Sequence, residues 1–222
     1  MKKVIFITGT DTNVGKTLIS CAILNKIAKG EHKVIGCKPI STGINKNGKN
    51  KDVVNLLKFS NLKLKYHQIN SFSFKNPTSP NIASFIEKKE VMLNEIIYKI
   101  KKLKKISDFL IIEGIGGWKT PINNNQYCYD IIFSKRMSVI LVVGIKVGCI
   151  NHTLLTIDSM INLKKKITGW IANFVDKKMK YKLDYLKTLK KKIDFPCIGI
   201  IPYIKNKKIE NISKYIKIKS II

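Results

Sequence analysis

Residues 4–17 read VIFITGTDTNVGKT, an apolar run that passes directly into a glycine-rich turn. The first five residues, Val4–Thr8, predict a buried strand, and a helical pattern begins at Thr17. Between them, Gly15-Lys16-Thr17 has the order found where backbone N–H groups at a helix N-terminus hold phosphates, with the lysine and the hydroxyl serving phosphate and Mg²⁺. The stretch predicts a nucleotide-binding site.

The glycine spacing departs from the usual G-x-x-x-x-G-K-[ST] pattern. Gly9 stands one residue too early, and Thr10 occupies the usual place of the first glycine. The alternative is an ordinary surface turn between strand and helix. The flanking strand and helix patterns favour the phosphate loop.

Apolar runs and helical patterns alternate along the chain, which predicts an α/β fold with a doubly wound, mostly parallel sheet flanked by helices, of the P-loop NTPase type. We expect one domain over residues 1–222, since no linker composition interrupts it. The predicted strands are Val4–Thr8, Lys33–Lys38, Phe109–Glu113, Val139–Val143, Ile167–Asn173 and Cys197–Ile201. The predicted helices are Thr17–Lys29, Val91–Lys104, His152–Leu163 and Lys180–Lys192, and the predicted loops are Ser41–Lys51, Phe72–Asn81 and Gly114–Tyr129.

Three charged residues stand where such a sheet would present them to the nucleotide. Glu113 ends an apolar strand and precedes a glycine-rich turn, so it is the expected second anchor for a metal ion, or else a cap of that turn. Asp52 could complete the metal shell or act as a helix N-cap. Lys38 closes a strand and could stabilise charge on a transferred phosphoryl group, although only its position distinguishes it from the other lysines.

Composition bounds the class of protein. The 222 residues carry a formal net charge of +28 and include five widely spaced cysteines. No apolar run reaches the roughly 18–20 residues that span a bilayer, so we expect a cytoplasmic protein without a membrane partner. The charge raises the alternative of a nucleic-acid surface, but Arg136 is the only arginine, and abundant Lys, Ile and Asn suit biased codon usage.

Taken together, the motifs resemble the dethiobiotin synthetase family over nearly the whole chain. The phosphate loop is similar to that family's G-T-D-T-x-V-G-K-T, including the displaced glycine. The other similar segments are Gly36–Gly43, which carries Lys38, then Pro77–Pro80, Glu113–Trp118, Val143–His152, Gly169–Asn173 and Ile201-Pro202.

The resemblance implies a homodimeric ligase that converts 7,8-diaminononanoate, CO₂ and ATP into dethiobiotin, ADP and phosphate with Mg²⁺. In such enzymes an amine captures CO₂ as a carbamate, the carbamate attacks the γ-phosphate, and the second amine closes the ring. It implies small-molecule substrates and no specific nucleic acid.

The resemblance also implies a role for each site residue. Lys38 and Lys16 would be catalytic, and Thr17, Asp52 and Glu113 would hold Mg²⁺. The ATP-binding set would be Asn13, Val14, Gly15, Lys16, Thr17, Leu18, Asp52, Glu113, Gly114, Ile115, Gly116, Asn173, Pro202, Tyr203 and Ile204. The substrate-binding set would be Thr12, Thr42, Gly148, Cys149, Ile150 and Asn151, the last four belonging to the partner subunit's site.

One rival from another class uses the same architecture, a DNA-bound partition-type ATPase. Such proteins usually carry an extra lysine early in the phosphate loop, where this chain has Thr10 or Asp11. Two departures from the dethiobiotin synthetase pattern also occur: Asn81 stands where histidine is frequent, and Phe174 where an acid is common.

Overall fold

A computed structural model describes residues 2–205 and 208–218. The strands are β1 Lys3–Gly9, β2 Val34–Cys37, β3 Ile40–Thr42, β4 Phe72–Phe74, β5 Phe109–Glu113, β6 Ser138–Ile145, β7 Lys166–Phe174 and β8 Cys197–Ile201. The helices are α1 Lys16–Ile27, α2 Lys51–Phe59, α3 Tyr66–Ile69, α4 Pro80–Ile86, α5 Leu93–Ile106, α6 Cys149–Asn162, α7 Lys182–Lys192 and α8 Ile209–Ser213. None of the helices in the described ranges is long and apolar enough to cross a membrane.

Six strands form a wholly parallel main sheet in the order β2-β5-β1-β6-β7-β8. The side chains of β5 are all buried, and β1 is buried from Val4 onward, which is why these strands consist of continuous apolar runs. The predicted parallel, helix-flanked sheet is confirmed. All six predicted strands are present, with ends that differ by at most two residues.

The polar segments contain more structure than predicted. The loop predicted at 41–51 overlaps β3, and the loop predicted at 72–81 contains β4 and the start of α4, so both predictions were too simple. Strands β3 and β4 pair in parallel as a separate two-stranded sheet, with Ile40 opposite Phe72 and Thr42 opposite Phe74. Three-residue strands give no usable periodicity, which explains why the sequence pattern missed them.

The sequence patterns also did not predict helix α2. The start of this helix corrects the interpretation of Asp52 as a helix N-cap. The N-cap is Asn50, whose side-chain oxygen accepts the amide of Asp52 at 2.9 Å while its amide group donates to the Thr42 carbonyl at 2.9 Å. Asp52 therefore lies in the first helical turn, and the alternative that it caps the helix was wrong. Its carboxylate is free to point away from the helix end.

Strand β1 lies between β5 and β6, and the chain continues to opposite sides of it. In open parallel sheets, the crevice at the carboxyl ends of the strands beside such a reversal of strand order is where ligands bind. The residues that follow β1, β2 and β5 meet there.

Candidate active site

A cavity of about 1370 Å³ opens at the carboxyl edge of the main sheet. Its wall combines the phosphate loop, the ends of β2 and β5, the start of α2, the loop before α4, and α6. The lining residues are Thr10, Thr12, Asn13, Gly15, Lys16, Thr17, Leu18, Lys38, Thr42, Asn50, Lys51, Asp52, Pro77, Thr78, Ser79, Pro80, Glu113, Ile115, Gly116, Gly117, Trp118, Lys119, Thr120, Pro121, Leu155, Thr156 and Ser159.

The phosphate loop has the backbone shape that its sequence predicts. Asn13 and Gly15 adopt the left-handed region, with φ of 60° and 97°, and α1 begins at the next residue, Lys16. Lys16 is buried, and its ammonium donates to the carbonyl of Asp11 at 2.8 Å. Burial lowers the pKa of Lys16, and the carboxylate of Glu113 opposes that shift. A poorly solvated ammonium beside free backbone amides favours an incoming phosphate.

Two contacts hold the loop against the sheet. The side-chain amide of Asn173, at the end of β7, donates to the Val14 carbonyl at 2.8 Å. A Cβ added to Gly144 of β6 would come within 2.9 Å of Val14 Cγ1, so glycine allows the loop to pack directly on the strand. Asn173 thus supports the loop that carries the phosphate-binding amides.

At the centre of the site one ammonium joins two carboxylates. Lys38 Nζ lies 2.7 Å from Asp52 Oδ2 and 2.7 Å from Glu113 Oε1. Glu113 Oε1 also accepts the Thr17 hydroxyl at 2.7 Å. Because Glu113 pairs with Lys38 and Thr17, the alternative that it caps the following turn is not needed.

The protonation of this cluster follows from burial and charge. Burial opposes the charged form of Lys38, but Glu113 and Asp52 outweigh it and raise the pKa of the ammonium. Burial likewise opposes ionisation of Asp52, yet the neighbouring Lys38 holds the pKa of that carboxyl below its usual value. Lys38 and Asp52 are therefore both charged at neutral pH.

The loop between β4 and α4 forms the opposite wall. The start of this loop is held by Glu87, whose Oε1 accepts hydrogen bonds from both the backbone and the side-chain amide of Asn76 at 3.0 Å. Pro77–Pro80 line the cavity together with Thr42 and Thr12, and Pro77 lies beside Gly43, the residue after Thr42. The predicted substrate-side residues are brought together here.

Other predicted residues lie behind or beside the wall. Val14, Gly114 and Asn173 support it from the buried side, and Pro202–Ile204 follow β8. Gly148–Asn151 form the start of α6, and within the described ranges the helix contributes Leu155, Thr156 and Ser159 to the cavity instead. Sequence reasoning missed these three, because a helix face is assigned to a cavity only by tertiary packing.

The site defines the class of protein as P-loop nucleotide-binding proteins. A phosphate loop follows β1, an acid stands at the end of the neighbouring strand β5, and a lysine stands at the end of β2. The profile of the AAA domain family AAA_26 matches residues 3–211.

Curated relatives narrow the class. The ATP-dependent dethiobiotin synthetase BioD of Wigglesworthia glossinidia brevipalpis is 49% identical, over 98% of both chains. That of Baumannia cicadellinicola is 39% identical, again over 98% of both. The chain belongs to the ATP-dependent dethiobiotin synthetase family. The predicted function in biotin synthesis is confirmed, and the partition ATPase alternative is not favoured.

Solved structures support the fold. The septum site-determining protein MinD of Pyrococcus horikoshii, complexed with Mg-ADP, has a TM-score of 0.60 at 16% identity, covering 99% of this chain and 89% of that one. Cobyrinic acid a,c-diamide synthase of Mycobacterium smegmatis, with bound ATP analog and magnesium, has a TM-score of 0.56 at 14% identity, covering 96% and 92%. A ParA family ATPase of Chlorobium tepidum has a TM-score of 0.60 at 10% identity, covering 100% and 99%.

The lowered pKa of Asp52 predicts an acid limb of stability. Its contribution is present above the unfolded carboxyl pKa of about 3.9 and is lost as the pH falls through the lower folded value. We expect the free energy of unfolding to decrease on acidification below about pH 4, and Asp52→Asn to reduce that decrease. Urea unfolding at a series of pH values, with the exposed Asp158→Asn as control, measures both. Equal acid slopes in Asp52→Asn and the native chain would contradict the assignment.

Proposed function

We propose that this cavity joins 7,8-diaminononanoate, CO₂ and ATP, and that the predicted residues carry out the ring closure. The observation that supports it best is the ammonium of Lys38, held 2.7 Å from Asp52 and from Glu113 beside the phosphate loop. A cation fixed next to the γ-phosphate position is what a transferred phosphoryl group requires.

The reaction proceeds in three bond changes. One amine of the diamine forms a C–N bond with CO₂ and gives up a proton, which leaves a carbamate. A carbamate oxygen bonds to the γ-phosphorus as the bond to ADP breaks. The second amine then forms a bond with the carbamate carbon and gives up a proton to water, and phosphate departs with the C–O bond electrons.

The residues of the chain bind and orient these groups. Lys16 leaves the Asp11 carbonyl for the phosphate oxygens, and Lys38 neutralises charge shared by the carbamate and the phosphoryl group. Thr12 and Thr42, which both line the cavity, present hydroxyls to the diamine.

The donor set fits Mg²⁺. Thr17, Asp52 and Glu113 offer a hydroxyl and two carboxylates, and Glu113 Oε2 is buried without a hydrogen-bond partner among the described residues. Mg²⁺ prefers oxygen ligands and usually takes only one or two carboxylates together with phosphates and water. When bound, the ion would neutralise charge on the phosphate oxygens.

We also propose a homodimer in which Gly148–Asn151 receive the carboxylate of the diamine bound to the other subunit. The supporting feature is apolar surface around this helix start: Val147 is 76% exposed and Leu155 is 61% exposed. Apolar side chains beside backbone amides at a helix N-terminus suit an interface that also binds an anion.

The direct test of the reaction is product formation. Purified protein should convert the diamine to dethiobiotin with stoichiometric ADP release, and should require both Mg²⁺ and bicarbonate. ADP release that ignores the diamine, or dethiobiotin formation that ignores ATP, would overturn the proposed reaction.

The role of Lys38 predicts a specific loss. Lys38→Ala should lower turnover by about 10²-fold or more, because one charge contact to the transition state is removed, while ATP-analogue binding is largely kept. Dethiobiotin formation and calorimetry measure the two quantities, and circular dichroism checks the fold. Lys99→Ala, which removes an ion-paired lysine on α5, is the control. Near-normal turnover would exclude Lys38 from the chemistry.

The role of Glu113 predicts a changed metal requirement. Glu113→Gln keeps the size of the side chain but removes its charge, so half-saturating Mg²⁺ should rise by about tenfold or more. Mn²⁺ binding in the presence of an ATP analogue gives the same comparison without turnover. Glu95→Gln removes an ion-paired glutamate on α5 and should leave both values unchanged. An unaltered metal titration for Glu113→Gln would assign that residue a structural role.

The shared site predicts complementation between two inactive variants. Lys38→Ala damages the phosphoryl end, and Gly148→Val damages the helix start, where φ is 86° and a β-branched residue is strained. Dimers that contain one chain of each kind have one intact site, so mixing should restore part of the activity. Gly148→Val that shows no activity alone and none after subunit exchange would contradict the cross-subunit arrangement.

A further inference from the structure

An ion pair connects the phosphate loop to the start of α6. Lys146 Nζ lies 2.6 Å from Asp11 Oδ2, and the two side chains are 37% and 41% exposed. Within the described residues the cavity wall includes Thr10 and Thr12 but neither member of the pair. The pair therefore stands behind the wall, where it can position groups without touching the substrates.

Asp11 reaches the nucleotide end through its main chain. Its carbonyl accepts the Lys16 ammonium at 2.8 Å, and its second carboxylate oxygen, Oδ1, accepts the amide of Thr12 at 2.7 Å. The orientation of the peptide that holds Lys16 is thus set by the same side chain that binds Lys146. The pair with Lys146 also holds the pKa of Asp11 below its usual value, so the carboxylate is charged at neutral pH.

Lys146 contacts the start of α6 through its main chain, as Asp11 contacts Lys16. Its carbonyl accepts the amide of Cys149, the first residue of α6, at 3.1 Å. Gly148 precedes that residue in the left-handed region, with φ of 86°. The turn that presents the amides of the helix start is therefore fixed on one side by the backbone of Lys146, whose side chain is fixed by Asp11.

We propose that Asp11 and Lys146 are a positioning pair that couples the nucleotide subsite to the carboxylate subsite at the start of α6. This inference rests on the proposed function, since it needs Gly148–Asn151 to receive the carboxylate of the diamine bound to the other subunit. The coupling then runs between the nucleotide subsite of one subunit and the diamine site of its partner. When a triphosphate takes Lys16 from the Asp11 carbonyl, the side-chain bonds of Asp11 still orient the loop, and the same bonds orient the α6 turn. Ordering one end therefore favours binding at the other, and the effect is reciprocal.

The coupling is separable from stability. An ion pair as exposed as this one contributes little to folding, so its loss leaves the protein folded. Asp11→Asn keeps an acceptor for the Thr12 amide, and Lys146→Met keeps an unbranched side chain but removes the ammonium. Each variant removes the charge contact with little other change.

The test is calorimetric titration of a non-hydrolysable ATP analogue with Mg²⁺, with and without 7,8-diaminononanoate. For the native chain we expect the diamine to tighten analogue binding by about 5- to 10-fold. Either variant should reduce that factor to about twofold or less, with analogue affinity in the absence of diamine changed by about threefold at most. In steady state, KM for the diamine should rise while kcat stays near its native value.

The double variant and a control pair complete the design. Asp11→Asn combined with Lys146→Met should lose no more coupling than either single change, because one shared contact is removed. Asp184→Asn and Lys187→Met break an exposed ion pair on α7 and should keep the native coupling. Native coupling in the single variants, or losses that add in the double variant, would overturn the inference.

The outcomes also separate this inference from the proposed function. A native chain that binds the diamine and forms dethiobiotin but shows no coupling overturns the positioning role alone. A native chain that does not bind the diamine overturns both.

Discussion

The site depends on a single ammonium between two acids. The parallel register places Cys37 opposite Ile112, so the next residues, Lys38 and Glu113, emerge side by side from neighbouring strand ends. The Glu113 side chain is fully buried, so without Lys38 its carboxylate would lose its paired cation at a place that water hardly reaches. Removing one member of a buried ion pair typically costs about 3–5 kcal/mol. The register of two strands thereby fixes the electrostatics of the cavity.

The parts of the molecule that the sequence predicted are those encoded locally. Strand β5 is a continuous apolar run, and the phosphate loop is a motif whose geometry follows from Gly15. The start of α2 was not predicted because Asn50 caps it through hydrogen bonds to Asp52 and to the Thr42 carbonyl. Such a cap produces no periodic pattern in the sequence. The contribution of Leu155 to the cavity was missed for a related reason: it depends on how α6 packs against the rest of the chain.

Part of the high positive charge lies at the C-terminal ends of helices. Lys104 and Lys105 lie in the last turn of α5, and Lys190–Lys192 lie in the last turn of α7. Cations at helix C-termini interact favourably with the exposed carbonyls. These helix ends precede β5 and β8, so they lie at the amino edge of the sheet, opposite the cavity. The cavity lysines Lys16 and Lys38 are instead buried. The net charge of the chain therefore does not identify the cavity lysines, whereas their positions after strands β1 and β2 do.

The same parallel sheet supports proteins as different as MinD, a ParA family ATPase and cobyrinic acid a,c-diamide synthase, so the fold does not determine the chemistry. Position 11 illustrates how a single loop residue can differ between proteins that share this fold. Partition-type ATPases usually carry a lysine early in this loop, whereas here Thr10 and Asp11 occupy that region and a cation arrives from Lys146, just beyond β6. An acid in the loop can accept a lysine from the segment that leads into α6, which a basic residue there would repel. The identity of residue 11 thus decides whether the phosphate loop can form an ion pair with Lys146, in addition to its contact with Asn173 of β7.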